Sequence, residues 1–335
     1  MGPRPIFHSL IAVESGDDLE QFLALGKNRE WVEPIVRNQH PFSLFAETQS
    51  WVALRGGEAQ ARVTALIDRV SNERRGEDTG HLVLFEAVPD SHLAVQLMLW
   101  EGCGWLAARG CGTARMGFRS SCDMPFNIDA YGEPPTFIHR NNPPYYHSLL
   151  KHAGMQPGHG FIEYRLSFND EWKGRYEATV DWATRRGIVI EPSKDHEVFA
   201  RVMNECYTHH WGIPHYLPEE VALWTRGLGV STPADFLLFA TIGGELAGTT
   251  FGCLDFWNPG RGILFEICVR EPFRGQGVNF ALAARLFLAL MREGCTEASY
   301  TLVLDDNWPS RRTAEKLGGV PARNFITYEK RLRDR

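Results

Sequence analysis

Apolar positions recur in two rhythms along this chain. The run ILFEICV, Ile263 to Val269, is apolar but for one acid, the composition of a strand buried on both faces. From Val278, apolar residues return every four positions at Leu282, Leu286 and Leu290, the stripe of an amphipathic helix. Between them, Pro272 ends the strand and Arg274-Gly275-Gln276-Gly277 makes a glycine-rich join. The pattern predicts a strand, a loop and a helix N-terminus in succession. Downstream, Ala298 to Leu304 reads as another strand, and a short helix runs to Lys316-Leu317, where Gly318-Gly319 stop it.

The same order of elements occurs twice. WVALRGGEAQARVTALID, ending at Asp68, and LLFATIGGELAGTTFGCLD, ending at Asp255, each set an apolar run, Gly-Gly-Glu and a second β-like run in a row, the signature of a hairpin. Leu84-Phe85-Glu86 then echoes Leu264-Phe265-Glu266. Gly110-Cys111 echoes Gly294-Cys295, and Asn141-Asn142-Pro143-Pro144 echoes Asp306-Asn307-Trp308-Pro309. The repeat predicts an α/β fold of two similar lobes, each a mixed, mostly antiparallel twisted sheet flanked by helices. The expected division is a first domain over 1–168, a polar connecting segment over 169–194 and a second domain over 195–335.

Bulk composition narrows the class of function. With 335 residues, 44% of them apolar, the chain can bury two cores. A net charge of −6 lacks the basic surplus of nucleic-acid proteins. Apolar runs such as Leu286 to Met291 are too short to span a bilayer, and the opening MGPRPIFHSL lacks signal-peptide features. Ile6 stands where a myristoylation signal needs Ser or Thr. Seven cysteines (Cys103, Cys111, Cys122, Cys206, Cys253, Cys268 and Cys295) form no CxxC pair and read as reduced thiols. The expectation is a cytoplasmic protein with no membrane or nucleic-acid partner and no metal.

The glycine-rich join is the candidate for chemistry. The first turn of a helix leaves backbone N–H groups unpaired at the positive end of its dipole, so the predicted loop and helix start favour an anion. Glycines let the backbone approach a phosphate, and Arg274 adds a planar cation. The matching stretch of the first half, AVPDSHLAVQ, has no glycine, no arginine and an aspartate where an anion would bind. One cofactor site is therefore expected, in the second half. The first half would serve as a scaffold or as one wall of an acceptor cleft.

Residues 195–332 resemble the GCN5-related N-acetyltransferase (GNAT) family. Val269-x-x-Pro272-x-Arg274-Gly275-x-Gly277 is similar to the family's motif A, and Asn307-x-x-Ser310 through Lys316-Leu317-Gly318 to its motif B. The whole chain is similar to bacterial proteins with two GNAT-like halves. The resemblance implies acetyl-CoA or another acyl-CoA as cofactor. Backbone at Ile267, Cys268 and Val269 would pair with pantetheine. Amides of Arg274, Gly275, Gln276, Gly277, Val278 and Asn279 would bind pyrophosphate, with Asn307 beside the cofactor. Two positions depart from the family pattern. Asn279 replaces a small residue, and Ala314 stands where many relatives carry the tyrosine that protonates the leaving thiolate.

In such a reaction an amine attacks a thioester, so a base helps and donors near the carbonyl stabilise the oxyanion. Glu266, the one acid in the strand beside the loop, is the first candidate base; the alternative is that it points away and pairs with an arginine. In CYTHHWGIPHY (206–216), His209, His210 and His215 lack a recognised metal spacing. The resemblance sets this segment at the acceptor site. Trp211, Tyr216 and His209 would wall it and His210 would relay protons, with ordinary helix-end roles as the alternative. Tyr145 could likewise face a cleft or pack in its loop.

The expected function is transfer of an acyl group from acyl-CoA, acetyl-CoA first, to an amine of a small molecule or amino acid by direct attack. An acyl-CoA sensor without turnover and a transferase using aminoacyl-tRNA are the alternatives.

Overall fold

A computed structural model of the chain describes residues 8–14, 16–26, 29–37, 39, 46–118, 123–227 and 236–332; Cys122 lies outside them. The elements begin β1 (His8–Ala12), α1 (Asp17–Leu23), α2 (Arg29–Val36), β2 (Ala46–Arg55), β3 (Glu58–Asp68) and α3 (Arg69–Arg75). Next come β4 (Thr79–Ala87), α4 (His92–Ala108), β5 (Thr113–Met116), β6 (Phe126–Asn127), α5 (Tyr145–His152) and β7 (Gln156–Ser167). The chain continues through α6 (Asp170–Arg185), β8 (Ile188–Pro192), α7 (His196–Cys206), α8 (Pro218–Gly227), β9 (Leu237–Ile242) and β10 (Glu245–Leu254). It closes with β11 (Arg261–Val269), α9 (Val278–Arg292), β12 (Glu297–Leu304), α10 (Trp308–Lys316) and β13 (Val320–Arg331).

Two compact units interleave along the sequence. One holds Met1–Phe126, Arg140–His159 and Ile326–Arg335, the other Asn127–His139 and Gly160–Phe325. The 160–194 stretch, read from sequence as the end of one domain and a connector, thus belongs to the second unit, because α6 packs on α9. The Tyr176 ring of α6 meets Phe287 of α9 at 5.3 Å, and the Tyr176 hydroxyl donates to Leu317 O at 2.8 Å.

In the first unit the strands run β1-β2-β3-β4-β5, followed by the last residues of β13. Neighbours are antiparallel except the parallel pair β4–β5. The second unit repeats the plan as β8-β9-β10-β11-β12-β7, again antiparallel except for β11–β12. Both predicted hairpins form. Gly56-Gly57 and Gly243-Gly244 turn them with φ of 62°, 90°, 61° and 82°, the double left-handed geometry that matches strand twist.

One long helix lies on each sheet. In the second unit Val278, Leu282, Leu286 and Leu290 of α9 are all buried, as the four-residue rhythm requires. In the first, α4 buries Val95, Met98, Leu99 and Leu106 against β2 and β3. No helix among the described residues is long and apolar enough to cross a membrane.

Candidate active site

The site of the second unit starts where β11 ends. Val269 is followed by a single tight turn, Glu271–Phe273, then Arg274 in extended geometry and a left-handed Gly275 at φ +77°. Gly277, at φ +82°, caps α9 with no side-chain hydrogen bond, so no side chain competes for the first-turn amides. The two glycines serve different ends. A Cβ on Gly275 would meet nothing within 4 Å, leaving that backbone open. A Cβ on Gly277 would lie 2.5 Å from Cη2 of Trp182 on α6, so a helix outside the motif also demands this glycine. Arg274 is exposed and donates from Nε to Val269 O at 3.2 Å. Asn279 turns its amide to α10, donating to Thr313 Oγ1 at 2.9 Å. That bond draws the bulkier side chain toward the neighbouring helix.

Beyond the loop, β11 and β12 part. They pair in parallel only from Arg261↔Glu297 to Leu264↔Tyr300, and both strands continue past that point. Backbone of Ile267, Cys268 and Val269 lines one arm of the fork. Asn307 caps α10, its side chain accepting from Ser310 N at 3.2 Å. Ala314 is fully buried. Tyr300, at the crotch, reaches the same helix one turn earlier, its hydroxyl 3.1 Å from Ser310 Oγ. Burial pushes the Tyr300 phenol up to about 12.

Glu266 is aimed by a bulge. Phe251 pairs with Glu266 and Gly252 with Leu264, so β11 carries one extra residue at Phe265. The Tyr207 hydroxyl shares its hydrogen between Glu266 Oε2 at 3.1 Å and Ile267 O at 2.9 Å, and the Tyr216 phenol favours the charged carboxylate. Desolvation pushes Glu266 up to about 7, against the pull of both phenols. Glu266 therefore has phenol partners rather than the arginine that one sequence reading gave it.

The histidine-rich segment supplies this environment unevenly. Tyr216 is buried and Tyr207 follows α7 directly. His210 Nδ1 lies 3.1 Å from Trp211 O, and its ring meets Tyr207 edge-on at 5.4 Å. Trp211 packs on Phe161 at 6.0 Å, whereas His209 is exposed. Cys206 and Cys268 are both free thiols. Tyr145 falls in the first unit and donates to Ala87 O at 2.9 Å. Sequence reasoning missed Tyr207, although it lies inside the segment singled out, and Tyr300, an aromatic within an ordinary strand pattern.

Comparison with known proteins agrees with this geometry. Residues 197–319 match the family model described as the acetyltransferase (GNAT) family. This stretch runs from α7 to just past the end of α10 and holds the loop, the fork and Glu266. It is 24% identical to Protein YghO of Escherichia coli (strain K12), over 94% of this chain and 93% of that protein. It is 23% identical to the bacterial ceramide synthase of Caulobacter vibrioides (strain NA1000 / CB15N), over 72% of this chain and 68% of that one. A tandem GNAT protein from the clavulanic acid biosynthesis pathway shares the fold, with TM-score 0.62, 12% identity, and 98% of this chain and 100% of that chain covered. The fold of that protein thus extends over this chain, and the family match lies in the second unit.

Proposed function

We propose that the second unit transfers an acyl group from acyl-CoA, acetyl-CoA first, to the amine of a small molecule or amino acid by direct attack. The observation that carries this is Glu266, aimed by a bulge beside the fork and poised at about 7, on the strand that leads into the uncapped helix start. The residues fit a CoA ester. Open backbone at Gly275, the free first-turn amides of α9 and Arg274 suit a pyrophosphate. The parted edge of β11 suits an amide-bearing arm. When bound, the thioester supplies the activated acyl group.

The chain's own residues do the rest. An ammonium acceptor must lose a proton before it can attack, and a carboxylate near 7 takes it at neutral pH. Tyr207 holds that carboxylate in place, and His210 stands next to Tyr207 to pass the proton outward. Tyr300 keeps its proton at working pH and is the hydroxyl we assign to stabilise the leaving sulfur, in place of the tyrosine absent at Ala314. Trp211 and Tyr216 wall the acceptor side.

A second reading concerns acyl length. A ceramide is a fatty amide of a long-chain amino alcohol, and one relative bears that name. Long-chain acyl-CoA and amino alcohols therefore belong in the assay. The test is CoA-thiol release across donors from acetyl to palmitoyl and a panel of amines, from about pH 6 to 9. The expected result is amine-dependent release that falls tenfold per unit below about pH 7. Tight CoA binding with no amine-dependent release would leave a sensor instead.

A further inference from the structure

On the sheet face turned from α9, the second unit buries a polar constellation that the amine-transfer reading does not use. Glu163 of β7 is fully buried. Its Oε1 accepts from Arg165 at 2.8 Å and from Ser299. Its Oε2 has no hydrogen-bond partner among the described residues and lies 3.5 Å from His139 Nδ1, which also has none. The other ring nitrogen, Nε2, is 2.6 Å from Thr301 Oγ1. Burying a carboxylate with a free oxygen against an imidazole is costly unless the pair holds a task or a proton.

Thr301, itself buried, is the end of this chain of contacts that lies next to the fork. It directly follows Tyr300, the last residue of β12 to pair with β11. Opposite Glu163, β12 carries an extra residue, because Tyr300 pairs with Tyr164 and Val303 with Ile162. Bulges re-aim side chains. His139 Nε2 accepting from Thr301 leaves the ring hydrogen on Nδ1, facing Glu163. Burial and the neighbouring Arg323, Arg165 and Arg261 hold His139 down at about 4, so the ring is neutral and able to accept.

We propose that Thr301, His139 and Glu163 act as nucleophile, base and orienting group, so that Thr301 takes the acyl group from acyl-CoA and water slowly releases it when no amine is present. This rests on the acyl-CoA reading and adds thioester hydrolysis to it. Thr301 Oγ1 forms a bond to the acyl carbon as the carbon–sulfur bond breaks. Its proton passes to His139 Nε2 and then to the leaving sulfur. Water next attacks the ester and gives a proton to His139, which returns it to Thr301 Oγ1. The products are a carboxylic acid and CoA thiol. Glu163 steadies the imidazole throughout.

The experiment incubates the full chain with acetyl-CoA and no amine, quenches in acid and maps peptides by mass spectrometry, with calorimetry of CoA binding alongside. The expected result is an acetyl group on the peptide carrying Thr301, stable to neutral hydroxylamine as an oxygen ester. Thr301→Val should lose the adduct and at least tenfold of the amine-independent CoA release, and Thr301→Ser should restore both. CoA binding without an adduct, or an adduct only on Cys206 or Cys268, overturns this proposal alone. Failure to bind CoA overturns it together with the acyl-CoA reading.

Discussion

The two units run the same plan to the same point and then diverge. Each has a parallel strand pair that parts after a few residues, at β4–β5 and at β11–β12. Each carries a bulge just before a strand glutamate, Glu86 or Glu266. Past that glutamate the two routes separate. After Ala87 the first unit reaches α4 through Val88 to Ser91, with Asp90 itself left-handed at φ +59°. The second takes Arg270 to Gly277, long enough for the tight turn and both glycines.

The freed strand edge is alike in part. In the first unit Arg140 donates to Phe85 O at 2.9 Å, Tyr145 to Ala87 O at 2.9 Å, and Ala87 N donates to Tyr146 at 3.0 Å. Tyr146 also donates to Glu86 at 2.6 Å. The second unit answers with Tyr207 on Glu266 and Ile267 O and Arg274 on Val269 O, so what the first unit adds is the Arg140 bond to Phe85 O. The clearer difference between the units is the route from strand to helix, with no change in strand order.

This contrast can be broken at several points. The largest effect is expected from Glu266→Gln, which should lower kcat/KM by about 10²–10⁴ with little change in acyl-CoA affinity, because the removed group is a base. Glu86→Gln should leave turnover intact and lower stability by about 1–3 kcal/mol, since it weakens a partly buried hydrogen bond to Tyr146. Steady-state kinetics and urea unfolding of both variants check the pair; equal losses of activity would erase the distinction.

A pH effect is expected at smaller scale. Folding lowers His139 from an ordinary value near 6.5 to about 4, so the unfolded chain binds the proton more readily. Stability is fully present above about pH 6.5 and declines as pH falls toward 4, by up to about 3 kcal/mol. His139→Gln should flatten that slope in chemical unfolding between about pH 4 and 7. The smallest effect is expected from Asn279→Ala. It loses one bond to Thr313, about 1 kcal/mol of stability, and CoA affinity should move less than about threefold by calorimetry.

The second unit was the more legible in sequence. Pro272, the RGQG join and the Val278 stripe marked a strand, loop and helix because each acts locally. The Gly-Gly hairpins were equally local. The reason for Gly277 was half legible, since the motif predicts the glycine but not Trp182 against it. Interleaving of the units was not legible, because 127–139 and 160–194 join the second unit through packing rather than through any break in composition. The bulge at Phe265 adds one residue to a strand and leaves no mark on an apolar run. Tyr207 and Tyr300 look like ordinary aromatics until the fold brings them beside Glu266 and Ser310. His139 and Thr301 lie far apart in the chain, and only the sheet brings them together.

The central claim is that the chain has one CoA site and that it lies in the second unit. Calorimetric titration of CoA into the wild type and into Gly277→Glu tests it most directly. The account predicts one CoA per chain, with affinity lost by at least about 100-fold in the variant, where a charged side chain meets both Trp182 and the phosphate position. Two CoA per chain, or one bound equally well by the variant, would contradict it.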